Sequence, residues 1–157
     1  MNSTSVTFPG AFCAILLGGL GAGVGDITQA FIIFGMGGRN PMSVLQTVAA
    51  GVLGMPSFKG GTKSAALGAL LHFTIAFGAA IVFFVASRQI GFLTQRPILA
   101  GLLYGEIVFV VMNYIVLPLS ALHRIPPMNI GLFITGPIGH PLLVGLPISL
   151  AVYYLAK

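Results

Sequence analysis

Four long apolar stretches separated by short polar breaks organise this chain: about residues 11–34, 64–87, 97–117 and 133–156. Each has the ~20 residues that an α-helix needs to cross a hydrocarbon layer of roughly 30 Å. The break between the first two contains an element of its own. Asn40 suits an N-cap and Pro41 the first helical position. Met42, Leu45, Val48, Ala49 and Val52 then recur at helical spacing, Ser43, Gln46 and Thr47 take other faces, and Gly54 and Pro56 stop the run. A helix of about 41–54 cannot span, so it lies in the interface or dips back between the spans. Pro97 opens the third stretch and Pro118 is expected to end it. The fourth is expected to be irregular, because Pro137, Pro141 and Pro147 each remove a backbone donor. In lipid that is tolerable only where neighbours or water satisfy the freed carbonyls.

Composition makes the class definite. The chain is 57% hydrophobic and 6% charged, with a mean hydropathy of +1.04, against roughly 25% charged residues in a soluble domain. The expected fold is an all-α integral membrane protein, a four-transmembrane-helix bundle forming one domain over 1–157, with the short interfacial or re-entrant helix added. The net charge of +5 rests on seven basic residues, Arg39, Lys59, Lys63, Arg88, Arg96, Arg124 and Lys157, set between or beyond the apolar runs as flanking anchors. They form no patch, which excludes a nucleic-acid partner. Tyr153 and Tyr154 fall where an interfacial aromatic belt would sit. The single cysteine, Cys13, excludes an intramolecular disulfide. The first ten residues hold no Lys or Arg, and the apolar run after them is too long for a cleaved signal.

Small residues crowd the first stretch: Gly18, Gly19, Gly21, Ala22, Gly23 and Gly25. No strand pattern precedes them, so close helix packing is a better account than a dinucleotide loop. Gly21-x-x-x-Gly25-Asp26 resembles Gly101-x-x-x-Gly105-Glu106, and Gly68-x-x-x-His72 resembles Gly136-x-x-x-His140. A duplication of this kind would relate two hairpins by an axis along the membrane normal.

Against this apolar ground the ionisable residues stand out. Asp26 and Glu106 are the only acids, and both lie within spans, where a carboxylate costs about +2.5 to +3.5 kcal/mol on insertion scales. Counted from the same membrane side at ~1.5 Å per residue, Asp26, His72, Asn113 and His140 share a depth of ~8–12 Å. Glu106 falls nearer the midplane. Three uses fit such a set. His and Asp can bond to one another and to backbone carbonyls and hold the bundle. Asp26, His72, Glu106 and His140 can pass protons or bind a small solute. His72 and His140 can ligate a b-type haem, or a metal ion with Asp26, although no cofactor is the first expectation. His123 reads as a loop residue, and Gln46 as a polar face meeting headgroups rather than closing a pocket. No Ser-His-acid motif, His-x-x-x-His or cysteine pair is present, so no enzymatic activity is expected.

The run Leu71-His72-Phe73, the third-span ending Val116-Leu117-Pro118-Leu119, the pair Pro126-Pro127 and Gly139-His140 follow one another in this order. Over about residues 65–156 the chain thereby resembles the YagU-like family of bacterial inner-membrane proteins, which have no established biochemical activity. The resemblance implies a multi-pass protein of the bacterial cytoplasmic membrane with cytoplasmic termini; charge alone does not orient it, with three basic residues on one side and four on the other. It also implies that His72 and His140 occupy positions where the family carries histidine. Asn113, where a more basic group is expected, and the nearly uncharged termini depart from the family and weaken any transfer of a role in acid tolerance. Two functions follow as expectations. One is a non-catalytic accessory or structural subunit that packs in the bilayer against other membrane subunits or itself. The other is a transporter or channel for protons or a small solute.

Overall fold

The computed structural model describes residues 8–123, 125 and 129–156. Among the described residues, four helices are long and apolar enough to cross a membrane. The first span is Phe8–Met36, the second Gly61–Ser87, the third Pro97–Leu119 and the fourth Ile130–Leu155. Each extends beyond the apolar run that announced it, by two or three residues at most ends. Pro118 does not end the third span. It sits in the final turn, Leu117–Leu119, after a π-helical turn at Met112–Val116. Arg124, the pair Pro126-Pro127 and Lys157 lie outside the described residues.

Large side chains face outward and small ones inward. Leu70, Ile98, Leu103 and Ile107 are exposed, whereas Ala14, Ala22, Ala80 and Ala100 are buried. This is the distribution expected where lipid, not water, surrounds the helices and backbones approach closely. The fourth span runs between the first and third. Its Gly145 lies against Gly101 and Gly105 of the third span so tightly that an added methyl would overlap the Gly101 carbonyl. Gly21 and Gly25 of the first span meet Pro147 and the Leu143 backbone from the other side. Both Gly-x-x-x-Gly pairs thus serve the fourth span, but the other proposed repeat is not matched. Gly68 meets the short helix, while Gly136 meets the Phe109 ring.

The short helix is Pro41–Leu53, capped as the sequence suggests. The Asn40 side chain accepts from the Ser43 N–H at 2.8 Å, and Gly54 closes the other end at φ 65°. It packs mainly on the second span, with a smaller contact to the first. Its Leu45 backbone rests on Gly68, two turns into the second span, ~10 Å deep at ~1.5 Å per residue. The helix is therefore docked on the bundle and does not lie free on its surface. Gln46 corrects the sequence reading: it is buried and donates to the Gly61 carbonyl at 3.1 Å and to Ser64 Oγ at 3.3 Å. It meets neither headgroups nor a pocket. Ser57, in the single 3₁₀ turn Met55–Lys59, donates to the Gln46 carbonyl at 2.7 Å. At the far end the Ala121 N–H donates to the Gly51 carbonyl at 2.9 Å. His123 lies exposed in the turn after the third span, at φ 48°.

Candidate functional site: a chamber between the spans

Three of the intramembrane polar residues come together. Asp26 from the first span, His72 from the second and His140 from the fourth line one partly open cavity of about 190 Å³, together with Val48 of the short helix, Val108 and Met112 of the third span, and Val144. Their common depth follows from their equal distances to the helix ends. Their common direction follows from packing, since Gly25 presses on Leu143 and turns Asp26 towards the fourth span.

Both histidines are anchored by one ring nitrogen. His72 Nε2 lies 2.8 Å from the Gly23 carbonyl, and His140 Nδ1 lies 2.7 Å from the Thr135 carbonyl. A carbonyl oxygen only accepts, so each of these nitrogens carries the proton. In the neutral ring the remaining nitrogen, Nδ1 of His72 and Nε2 of His140, is an acceptor. Asp26 Oδ1 stands 3.8 Å from His140 Nδ1, beyond hydrogen-bond reach. Among the described residues the Asp26 carboxylate makes no hydrogen bond. It faces the cavity with its acceptor capacity unspent.

The fourth span is π-helical over Ile134–Gly145 and contains Pro137 and Pro141, which donate no N–H. Side chains come to the carbonyls of this segment. Thr135 Oγ1 donates to Gly131 at 3.0 Å, His140 reaches Thr135, and Gln29 Nε2 donates to Ile134 at 3.3 Å. Gln29 went unnoticed in the sequence, yet it sits one turn beyond Asp26 on the same face of the first span, and that spacing was the available signal. Its Oε1 is buried and unpartnered.

The other candidates lie apart. Asn113 donates to the Phe109 carbonyl at 3.0 Å and lines a second, larger cavity of about 280 Å³ between the short helix and the second and third spans. That cavity shares Val48, Ile75 and Met112 with the chamber, so three apolar side chains separate the two. Glu106 does not line the chamber. It is half-buried on the third span and, among the described residues, has no hydrogen bond or ion pair.

Away from the short helix the bundle is solid. Phe83, Ile148 and Val152 are fully or almost fully buried. Tyr104 packs edge-on against Phe83 with ring centroids 5.0 Å apart and donates its hydroxyl to the Ala79 carbonyl at 2.7 Å. Ala79 also lines the chamber, so this packed layer borders it. Among the described residues, no three His, Cys, Asp or Glu side chains are placed to hold a metal ion. The cavity is smaller than the ~300–1,000 Å³ of pockets that take drug-sized ligands. Comparison with family models, with curated proteins and with solved structures gives no match.

Proposed function

We propose that this membrane protein binds a small solute or proton in the chamber and passes it along the bundle. One observation carries the reading. An acid and two histidines from three different spans line a single cavity in an otherwise apolar interior, and their free polar atoms are not used up by the fold. Ionisable groups are costly within a membrane and characteristically line substrate or proton pathways. The chamber borders the packed layer of Phe83 and Tyr104 through Ala79 and the short helix through Val48. On the same footing we place the chain in the bacterial inner membrane with cytoplasmic termini, as the resemblance to the YagU-like family implies.

Glu106 favours a second reading, the accessory subunit. An acid left half-exposed and unpartnered on a span calls for a partner from another chain. The two readings separate on two variants. In proteoliposomes carrying an imposed pH or solute gradient, the chamber reading expects Asp26→Asn to lower flux roughly ten-fold or more, a loss of ~1.4 kcal/mol or above, with Glu106→Gln near wild type. Wild-type flux no greater than that of empty liposomes, with a stoichiometric partner recovered from native membranes and lost in Glu106→Gln, would establish the accessory reading instead.

A further inference from the structure

Resting on the chamber reading, we propose that its ligand is a small monovalent cation that donates N–H bonds, of the ammonium or short primary alkylammonium class, and that it enters through the neighbouring cavity past Met112.

The argument begins with what lines the chamber. Asp26, His72 and His140 are its polar residues, and alanine, valine, isoleucine and methionine make up the rest. No Lys, Arg, Ser, Thr, Asn or Tyr contributes a donor. The two ring N–H groups are already given to the Gly23 and Thr135 carbonyls, so what remains is two imidazole nitrogens and a carboxylate, all acceptors. An anion or a carbonyl-bearing solute would find nothing to donate to it. A cation with several N–H groups can donate to these acceptors and offset the Asp26 carboxylate, whose nearest cationic candidate, His140 Nδ1, stands 3.8 Å away.

Geometry narrows the class further. The three groups do not close to metal-ligating distance, so a bare ion with bonds of ~2.1 Å is a poor match. N–H donors reaching ~2.9 Å suit a wider set. A cavity of about 190 Å³ holds a few heavy atoms with accompanying water, each water having a liquid share of ~30 Å³. The route follows from the shared walls. The second cavity has Thr47, Asn113 and Ser120 among its lining residues and meets the chamber at Val48, Ile75 and Met112. Met112 is unbranched and adaptable, and it opens the π-helical turn of the third span, a distortion frequent at functional sites. It can swing where Val48 and Ile75, stiff at χ1, cannot.

The test uses the full chain, purified and reconstituted, with titration calorimetry in detergent and current recordings from proteoliposomes. Probes are ammonium, methylammonium, tetramethylammonium, sodium and potassium chlorides and a proton jump alone. Saturable responses to ammonium and methylammonium are expected, with none to tetramethylammonium, which has no N–H, or to sodium or potassium. Asp26→Asn should weaken ammonium binding roughly ten-fold or more. Met112→Ile, which stiffens the partition without touching the polar groups, should slow entry while leaving equilibrium affinity within about two-fold, well under the ~1.4 kcal/mol of a decade. Equal responses to all cations, or a response to protons alone, would overturn the ammonium assignment and leave the chamber reading standing. Silence towards every probe from protein shown to be folded by its circular dichroism would overturn both.

Discussion

The contact between Gly68 and Leu45 is the point at which the short helix is fixed to the bundle, and one methyl group tests it. In Gly68→Ala the new Cβ would overlap the Leu45 carbonyl and crowd the Ala49 nitrogen. These are backbone atoms, so no rotamer change relieves the clash, and overpacking of this kind costs about 1–3 kcal/mol. The same substitution also gains the ~0.5–1 kcal/mol by which alanine outperforms glycine inside a helix. Gly78→Ala isolates that gain, because nothing lies within 4 Å of its added Cβ and it sits on the same helix. The difference between the two variants should therefore equal the clash alone, about 1–3 kcal/mol. At ~2–4 °C per kcal/mol for a chain of this size, this is on the order of 2–12 °C in the midpoint of thermal unfolding in mild detergent. A second readout ties the contact to the chamber. In a Cys13→Ala background, a cysteine replacing Val48 should be alkylated faster when Gly68 is also replaced by alanine, because the helix covering the cavity is lifted. Equal midpoints for Gly68→Ala and Gly78→Ala, with unchanged alkylation, would refute the backbone-on-backbone docking.

Three other outcomes are expected. Ser57→Ala removes a fully buried hydroxyl bonded to the Gln46 carbonyl and should cost on the order of 1 kcal/mol in the same unfolding assay. Gly61 begins the second span at φ 59° with open space around it. Gly61→Ala should therefore lose about 1–2 kcal/mol from backbone strain alone, and Gly61→Asn should lose less, since asparagine tolerates the left-handed region. Tyr104→Phe keeps the ring packed on Phe83 but loses the bond to Ala79. It should cost about 1 kcal/mol, while Tyr104→Ala should raise passive leak through reconstituted vesicles by emptying the packed layer beside the chamber.

Depth was legible in the chain because helical rise is constant. Counting residues from the span ends put Asp26, His72 and His140 at one level, and they line one cavity. The count carries no azimuth, and the observed third span runs on to Leu119, so Asn113 sits nearer its span end than the other three do and lines the neighbouring cavity. The direction a residue takes around its helix is set by where glycines let backbones touch, and each of those contacts has a partner far along the chain. Gly101 and Gly105 on Gly145 are an example. The short helix was legible as an element, since Asn40-Pro41 and Gly54 are local signals. Its docking was not, because it depends on the hollow at Gly68 and on Gln46 reaching Gly61 and Ser64. Proline positions announced an irregular fourth span. That Gln29, His140 and Thr135 would serve its carbonyls required the neighbouring span to be in place.

That last dependence bears on how the protein is made. Pro137 and Pro141 of the fourth span each leave a carbonyl of the preceding turn without its helical donor, and the side chains that donate into this stretch include Gln29 of the first span. An unsatisfied carbonyl in hydrocarbon costs several kcal/mol, so this segment is a poor candidate for entering the bilayer alone. Along the chain it follows the other three described spans. Synthesis from the N-terminus delivers it when the first and third spans, between which it runs, are already inserted. The order of the spans along the chain thus suits co-translational assembly, and a permuted gene encoding the fourth span first would be expected to insert poorly while keeping every residue of the chamber.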